Sequence, residues 1–214
     1  MAGSLIQSLL RRLGPTDEQL MWRVQAQDDQ AAFAALVARW EGPIRRLGER
    51  MLNDPHRAED LAQEAFTRVF AKRADYWHET KYSTFLWRIA LNLCYDELRR
   101  RKRRAEFSLD DTDDGEFMPV ISEEPSPAVS LEQRERADSV RAALQRLPEY
   151  YRAVVVLRHY EGLKFREIAD VLDLPEGTVK SRMSEALDQL AVLLKEFTPP
   201  ASAHEARLKQ SICV

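Results

Sequence analysis

The sequence predicts an all-α protein: two small helical domains joined by an acidic flexible linker, the second containing a helix-turn-helix. Three observations lead there. Glycine is scarce, 7 in 214 residues, β-branched alternation is almost absent, and apolar residues recur at helical spacing. The tract from Ala105 to Ser130 holds eight acidic residues and no basic one, a composition that cannot bury a core. Residues 165–187 carry small, turn and apolar positions at the spacing of two crossing helices. The length suits one large domain or two small ones. With 44% hydrophobic and 31% charged residues, the chain fits a soluble, helix-rich protein.

Residues 1–15 read as a loosely ordered N-terminal extension. Leu5, Ile6, Leu9 and Leu10 precede its arginines, the wrong order for a secretory signal. The first domain is placed at 16–105. Thr16-Asp17-Glu18-Gln19 is a capping box, with Gln19 reaching back to Thr16. Its helix carries Leu20, Val24 and Ala26. Asp28-Asp29-Gln30 starts the next, with Phe33, Leu36, Val37 and Trp40 on one face; Gly42-Pro43 is expected to break it and leave Ile44 to Leu52 as a separate piece. Asp54 before Pro55 is a cap followed by proline at the first helical position. The helix it opens has the cleanest apolar stripe in the chain: Ala58, Leu61, Ala62, Ala65, Phe66, Val69 and Phe70. Its other face bears Glu59, Asp60, Gln63 and Glu64 early and Arg68, Lys72 and Arg73 late. That order suits the helix dipole and explains the charges without a partner. The functional alternative is a docking face for a basic partner helix.

Tyr76 to Arg104 is the stretch around which the rest is organised. An aromatic, polar loop, Tyr76-Trp77-His78-Glu79-Thr80-Lys81-Tyr82, leads into a helix from Ser83 to about Leu98 and then into the basic run Arg99 to Arg104. Phe85, Leu86, Ile89, Ala90, Leu93 and Leu98 form the apolar stripe, and Trp87, Arg88, Leu91, Asn92 and Tyr95 fall off it. Aromatic rings that stack on bases, beside arginines for phosphates, are what single-stranded nucleic acid requires. An amphipathic core helix with a solvated charged end accounts for the same composition.

The linker is placed at 106–130, with Asp110, Asp111, Asp113 and Asp114 and prolines at 119, 125 and 127. Four helices are expected in the second domain, 131–197. The first runs from Leu131 to Leu147 and is stopped by Pro148; the second runs from Glu149 to Tyr160, with Gly162 as its C-cap. Phe165 to Leu172 is the third, and Pro175 opens a fourth that reaches Phe197. A tail, 198–214, follows. Within 165–187, Ala169 is the small crossing residue, Asp173 the turn residue and Val179 the inward residue of the second helix. Thr178, Lys180, Ser181 and Arg182 lie on the outer face, where they can meet phosphates and base edges in a major groove. A generic helical hairpin gives the same apolar pattern.

The net charge of −3 does not argue against nucleic acid, because the charge is segregated into a basic run and an acidic tract. Cys94 and Cys213 lie far apart and read as reduced thiols, and the four histidines have no ligand spacing. No metal site, cofactor or catalytic residue is expected. No apolar run reaches membrane-spanning length, and a cytoplasmic location is expected.

These residues resemble a known family. Residues 54–66 are similar to the polymerase-docking helix of sigma factors, and 84–92 to the helix that reads the promoter minus-10 element. Leu147 to Arg152, Glu167 to Ala169 and Pro175 to Arg182 resemble their minus-35-binding domain. Length and plan resemble the extracytoplasmic-function group of the sigma-70 family. The resemblance implies a non-enzymatic subunit that makes bacterial RNA polymerase promoter-specific. It implies that Asp60, Gln63 and Glu64 face the clamp helices of the polymerase's largest subunit, with the flap as a further contact. It implies minus-10 contacts from Tyr76, Trp77, Tyr82, Trp87, Arg88, Asn92, Arg99 and Arg100, with the loop capturing a flipped base. Thr178, Lys180, Ser181 and Arg182 would meet the minus-35 duplex. Promoter DNA and an anti-sigma factor are the other implied partners. The chain departs from the family in its bulky Trp77 and His78, and after Arg182, where Ser184-Glu185-Ala186-Leu187-Asp188 stands in place of the usual Arg-Ala-Arg and two acids replace two bases. A helix-turn-helix regulator acting without polymerase is the alternative reading; it would need neither docking helix nor aromatic loop.

Overall fold

The computed structural model describes residues 14–77, 79–108 and 131–197. The N-terminal extension, most of the linker and the C-terminal tail therefore lie outside the described residues, as does His78. In order, the helices are α1 (Asp17–Gln27), α2 (Gln30–Leu52), α3 (Pro55–Ala71), a 3-10 turn (Arg73–Asp75), α4 (Tyr82–Ser108), α5 (Leu131–Arg146), α6 (Glu149–Val155), α7 (Phe165–Leu172) and α8 (Glu176–Phe197). One π turn, Val156–Tyr160, extends α6. No strand occurs among the described residues.

The helix starts follow their caps. The Thr16 hydroxyl accepts from the Gln19 amide at 3.3 Å, and the Gln19 side chain accepts from the Thr16 amide at 3.0 Å. Asp29 caps α2 through the Ala32 amide, and Asp54 caps α3 through the Arg57 amide, with Pro55 at the first turn. Asp28, Asn53 and Asp173 end α1, α2 and α7 in the left-handed region, at φ 49, 53 and 55. Asp and Asn tolerate that conformation better than most non-glycine residues.

Two expectations fail. The Gly42-Pro43 break does not occur: α2 is one helix of 23 residues with Pro43 inside it. A proline within a helix costs about 3 kcal/mol. Leu36, Ile44, Leu47 and Met51 lie on both sides of Pro43 and are fully buried, each contributing roughly 1.5–3 kcal/mol, so packing outweighs the lost bond. Second, α4 does not end near Leu98; the basic run is its continuation, and the helix reaches Ser108. The residues placed off its stripe are not all exposed either: Trp87 and Leu91 are buried. Trp87 packs on Trp40 of α2 and shares a cleft with Gly162 and Leu163, and α7 also packs on α4.

In the front half, α2 crosses α3 closely where Gly48 meets Ala58; a Cβ at position 48 would lie 3.0 Å from the Ala58 Cβ. α1 and α4 complete this bundle. In the rear half, α5, α6 and α7 each pack on α8. The two halves are packed on each other, and the buried core is continuous between them. Three side chains cap the otherwise unpaired carbonyls at the end of α2. Gln145 donates to Arg50 O at 2.7 Å, Arg152 to Met51 O, and Arg101 to Leu52 O at 3.0 Å. Two of the three caps come from the rear half.

Candidate nucleic-acid and polymerase interface

On α3, Asp60, Gln63 and Glu64 are exposed on the face opposite the apolar stripe. Asp60 pairs with Arg57 at 2.9 Å and Glu64 with Arg68 at 2.6 Å, both within the helix. These ion pairs are exposed and individually weak, so a basic partner can exchange with them.

The 76–82 loop is pinned at both ends. The Tyr76 hydroxyl donates to Thr80 O at 2.7 Å, Gln25 donates to Tyr76 O at 3.3 Å, and the Tyr82 amide donates to Glu18 at 3.3 Å. Burial pushes the Tyr76 hydroxyl up to about 12, with Glu18 and Asp17 adding to the shift. The aromatic residues proposed from sequence as one set divide here. Tyr76, Tyr82 and Trp87 are buried. Their rings meet each other and Trp40: Trp87 edge-on to Trp40 at 5.7 Å, Tyr82 to Trp40 at 6.3 Å, Tyr76 to Tyr82 at 6.4 Å. Their faces are occupied by the core. Trp77 alone of the four protrudes, 75% exposed.

Along α4, Arg88 and Asn92 are exposed. The Arg88 guanidinium donates to the carbonyl of Asp170 on α7, and Lys81 pairs with Glu167 at 2.6 Å. Of the minus-10 candidates, Arg88 thus faces the helix-turn-helix across a cleft lined also by Thr84, Glu167 and Asp170.

The basic run is organised by a residue the sequence reading missed. Glu97 is buried and receives Arg57 at 2.8 Å, Arg100 at 2.6 Å and Arg101 at 3.3 Å. Burial pushes its carboxyl up, but hydrogen bonding and charge from Arg57, then Arg101 and Arg100, outweigh this and bring it to about 2. Arg101 also pairs with Asp54 at 2.8 Å. Arg101 is therefore committed to Glu97 and Asp54, and Arg100 is tied to Glu97 while its side chain stays exposed, as are Arg99, 3.5 Å from Asp96, Lys102, Arg103 and Arg104. The spacing of Glu97 to Arg100 and Arg101, three and four residues, was the available signal.

The helix-turn-helix has the expected form. Ile168 and Val179 are fully buried, Ala169 lies at the crossing, and Asp173 takes the left-handed turn with its amide donating to Ala169 O. Thr178, Lys180, Ser181 and Arg182 share the outer part of α8. The Ser181 hydroxyl donates to Thr178 O at 3.0 Å, Lys180 pairs with Glu176 at 2.7 Å, and Arg182 lies 5.4 Å over the Tyr150 ring. Glu185 accepts a hydrogen bond from the Tyr151 hydroxyl.

Comparison with known proteins agrees with this layout. Residues 36–104 match the family described as Sigma-70 region 2, and residues 137–190 the family described as Sigma-70, region 4. The chain is 33% identical over 174 residues to the ECF RNA polymerase sigma factor SigW of Bacillus subtilis, covering 79% of this chain and 92% of that protein. It is 35% identical over 187 residues to the RNA polymerase sigma-H factor of Pseudomonas aeruginosa, covering 84% and 96%. Among solved structures, the sigma factor RpoE of Bartonella quintana, crystallised with the anti-sigma factor NepR, superposes with a TM-score of 0.61 at 25% identity, covering 76% of this chain and 96% of that one. CnrH, solved with the cytosolic domain of CnrY, shares the fold with a TM-score of 0.63 at 23% identity, covering 85% and 99%. No described helix is long and apolar enough to cross a membrane. With both conserved regions present in order and relatives matched over nearly their whole length, this chain belongs to the extracytoplasmic-function group of the sigma-70 family of RNA polymerase sigma factors.

Proposed function

We propose that the chain directs bacterial RNA polymerase core to specific promoters and promotes minus-10 strand opening, acting in the cytoplasm. The observation that carries this reading is the pairing of an exposed docking face on α3 with a pinned loop that projects one tryptophan. A duplex-binding regulator needs neither. Asp60, Gln63 and Glu64 would meet the clamp helices of the largest subunit, and the rear domain the flap. The domains taking part are 16–105 and 131–197, with 106–130 as the linker.

Opening a duplex costs a few kcal/mol for each extruded base. A site that binds only the unpaired base returns that energy, so no nucleotide hydrolysis is required. Trp77, the exposed ring of the loop, is the stacking surface. Arg88, Asn92 and Arg99 track the strand, with Arg100 contributing from its exposed side. Tyr76, Tyr82 and Trp87 act beneath, holding the loop and α4 in register. Thr178, Lys180, Ser181 and Arg182 meet the minus-35 duplex. Joining two such weak contacts in one chain raises the affinity of the pair. An anti-sigma factor is a further partner; the relative RpoE of Bartonella quintana was crystallised with one.

The test adds the protein to core polymerase and sequences the transcripts. Promoter-selective initiation, lost on charge reversal of Asp60 and Glu64, is expected. Duplex binding with no effect on core polymerase would sink the reading.

A further inference from the structure

Glu185 presents a puzzle for a helix that meets DNA. Thr178, Ser181, Arg182 and Glu185 recur at the spacing that puts them on one face of α8, so a carboxylate sits one turn beyond the phosphate contacts. Arg182 and Glu185 are also three residues apart, a spacing at which guanidinium and carboxylate pair on a helix. Such a pair would neutralise Arg182. In the structure each is held by its own tyrosine of α6 instead. The Tyr151 hydroxyl donates to Glu185 Oε2, and the Arg182 guanidinium lies over the Tyr150 ring, 5.4 Å from its centroid, within cation–π range. The two rings support each other, with centroids 4.3 Å apart and planes at 56°. Tyr151 is 9% exposed and so is itself fixed by the core.

We propose that Tyr150 and Tyr151 are positioning residues for duplex binding: Tyr151 draws the Glu185 carboxylate away from Arg182, and Tyr150 holds the freed Arg182 guanidinium in place for phosphate. The proposal rests on α8 being the duplex-reading helix. It also accounts for how this chain carries an acid where the resemblance leads one to expect a base.

The test measures binding of the full chain to a fluorescein-labelled mixed-sequence duplex across a salt series. Tyr151→Phe removes only the hydroxyl. It frees Glu185 to pair with Arg182, so affinity at low salt falls about 3- to 10-fold and the slope of log K against log salt drops by about 1, the loss of one phosphate contact. Adding Glu185→Gln to Tyr151→Phe restores both quantities, which a purely structural role for the hydroxyl would not allow. Glu185→Gln alone, with Tyr151 present, changes affinity by less than about twofold. Wild-type binding by Tyr151→Phe, failure of the double variant to recover, or a gain of more than about threefold from Glu185→Gln alone overturns the proposal. Lys180→Ala is the control: if it binds duplex as tightly as wild type, the reading of α8 has failed rather than the tyrosine relay.

Discussion

The Arg152 guanidinium closes the last turn of α2 by donating to the Met51 carbonyl. The same side chain reaches Gln145 Oε1 at 2.8 Å and Leu147 O at 3.0 Å, so one arginine of α6 joins α2 to the α5–α6 turn. It is 6% exposed, and its burial lowers its pKa. Among the described residues no carboxylate hydrogen-bonds to it, although the charge of Glu149 favours its ionised form; backbone carbonyls at a helix C-terminus, the negative end of the dipole, receive its N–H groups.

Replacing Arg152 by Met should therefore strand several buried acceptors, at about 1–3 kcal/mol each. The expected loss in chemical denaturation is about 3 kcal/mol, and Arg152→Lys should recover only part of it, because an ammonium lacks the planar fork. A loss below about 1 kcal/mol would mean that water replaces the guanidinium.

Glu97 makes stability fall in acid. Its folded carboxyl titrates at about 2 against an ordinary 4.5. Because the folded value is the lower one, the contribution is fully present above the unfolded value. It is lost as pH falls from about 4.5 through about 2. The shift corresponds to roughly 3 kcal/mol. Unfolding free energies measured between pH 6 and pH 2 should show that Glu97→Gln flattens this part of the profile. An unchanged slope would remove Glu97 as its source.

Gly48→Ala tests the crossing of α2 and α3. The added methyl would sit 3.0 Å from Ala58 Cβ and 3.1 Å from Ala58 Cα, backbone that cannot yield like a flexible side-chain tip. Overpacking costs about 1–3 kcal/mol, while alanine in a helix returns nearly 1 kcal/mol over glycine. A net drop in thermal stability is expected, and Ala58→Gly in the same chain should relieve it in part.

Trp77 and Trp87 should separate function from stability. Trp87→Ala removes a ring that is 3% exposed and should lower stability by about 3–5 kcal/mol. Trp77→Ala removes one that is 75% exposed and should leave the melting temperature nearly unchanged while reducing permanganate reactivity of minus-10 thymines in complexes with core polymerase. Equal effects of the two on stability would contradict the exposure pattern.

Local signals read well in this chain because they depend on neighbours in sequence. Thr16, Asp54, Pro148 and Asp173 announce helix ends that the structure keeps. What failed was decided by distant partners. Pro43 is an ordinary breaker until α3 covers its helix. Trp87 looks like part of an outer face until Trp40 of α2 and the Gly162–Leu163 turn close over it. The aromatic loop divides for the same reason: Tyr76, Tyr82 and Trp77 are chemically alike in the sequence, and the rings that meet them decide the outcome, Trp40 and Tyr76 against Tyr82 and Phe85 against Tyr76. Glu97 was partly legible, since Arg100 and Arg101 lie on the same helix, but its partner Arg57 comes from α3, and a single acid among arginines draws little notice.

The contact between Arg88 and Asp170 O has a thermodynamic consequence for free chains. The bond is exposed and uses one nitrogen of the guanidinium fork, so a strand that takes the whole guanidinium competes with α7, and its affinity then scales with the fraction of molecules already parted there. A population parted about 1% of the time binds about a hundredfold more weakly than its bare surface would. A partner that holds the halves apart removes that penalty without making a single new contact to DNA.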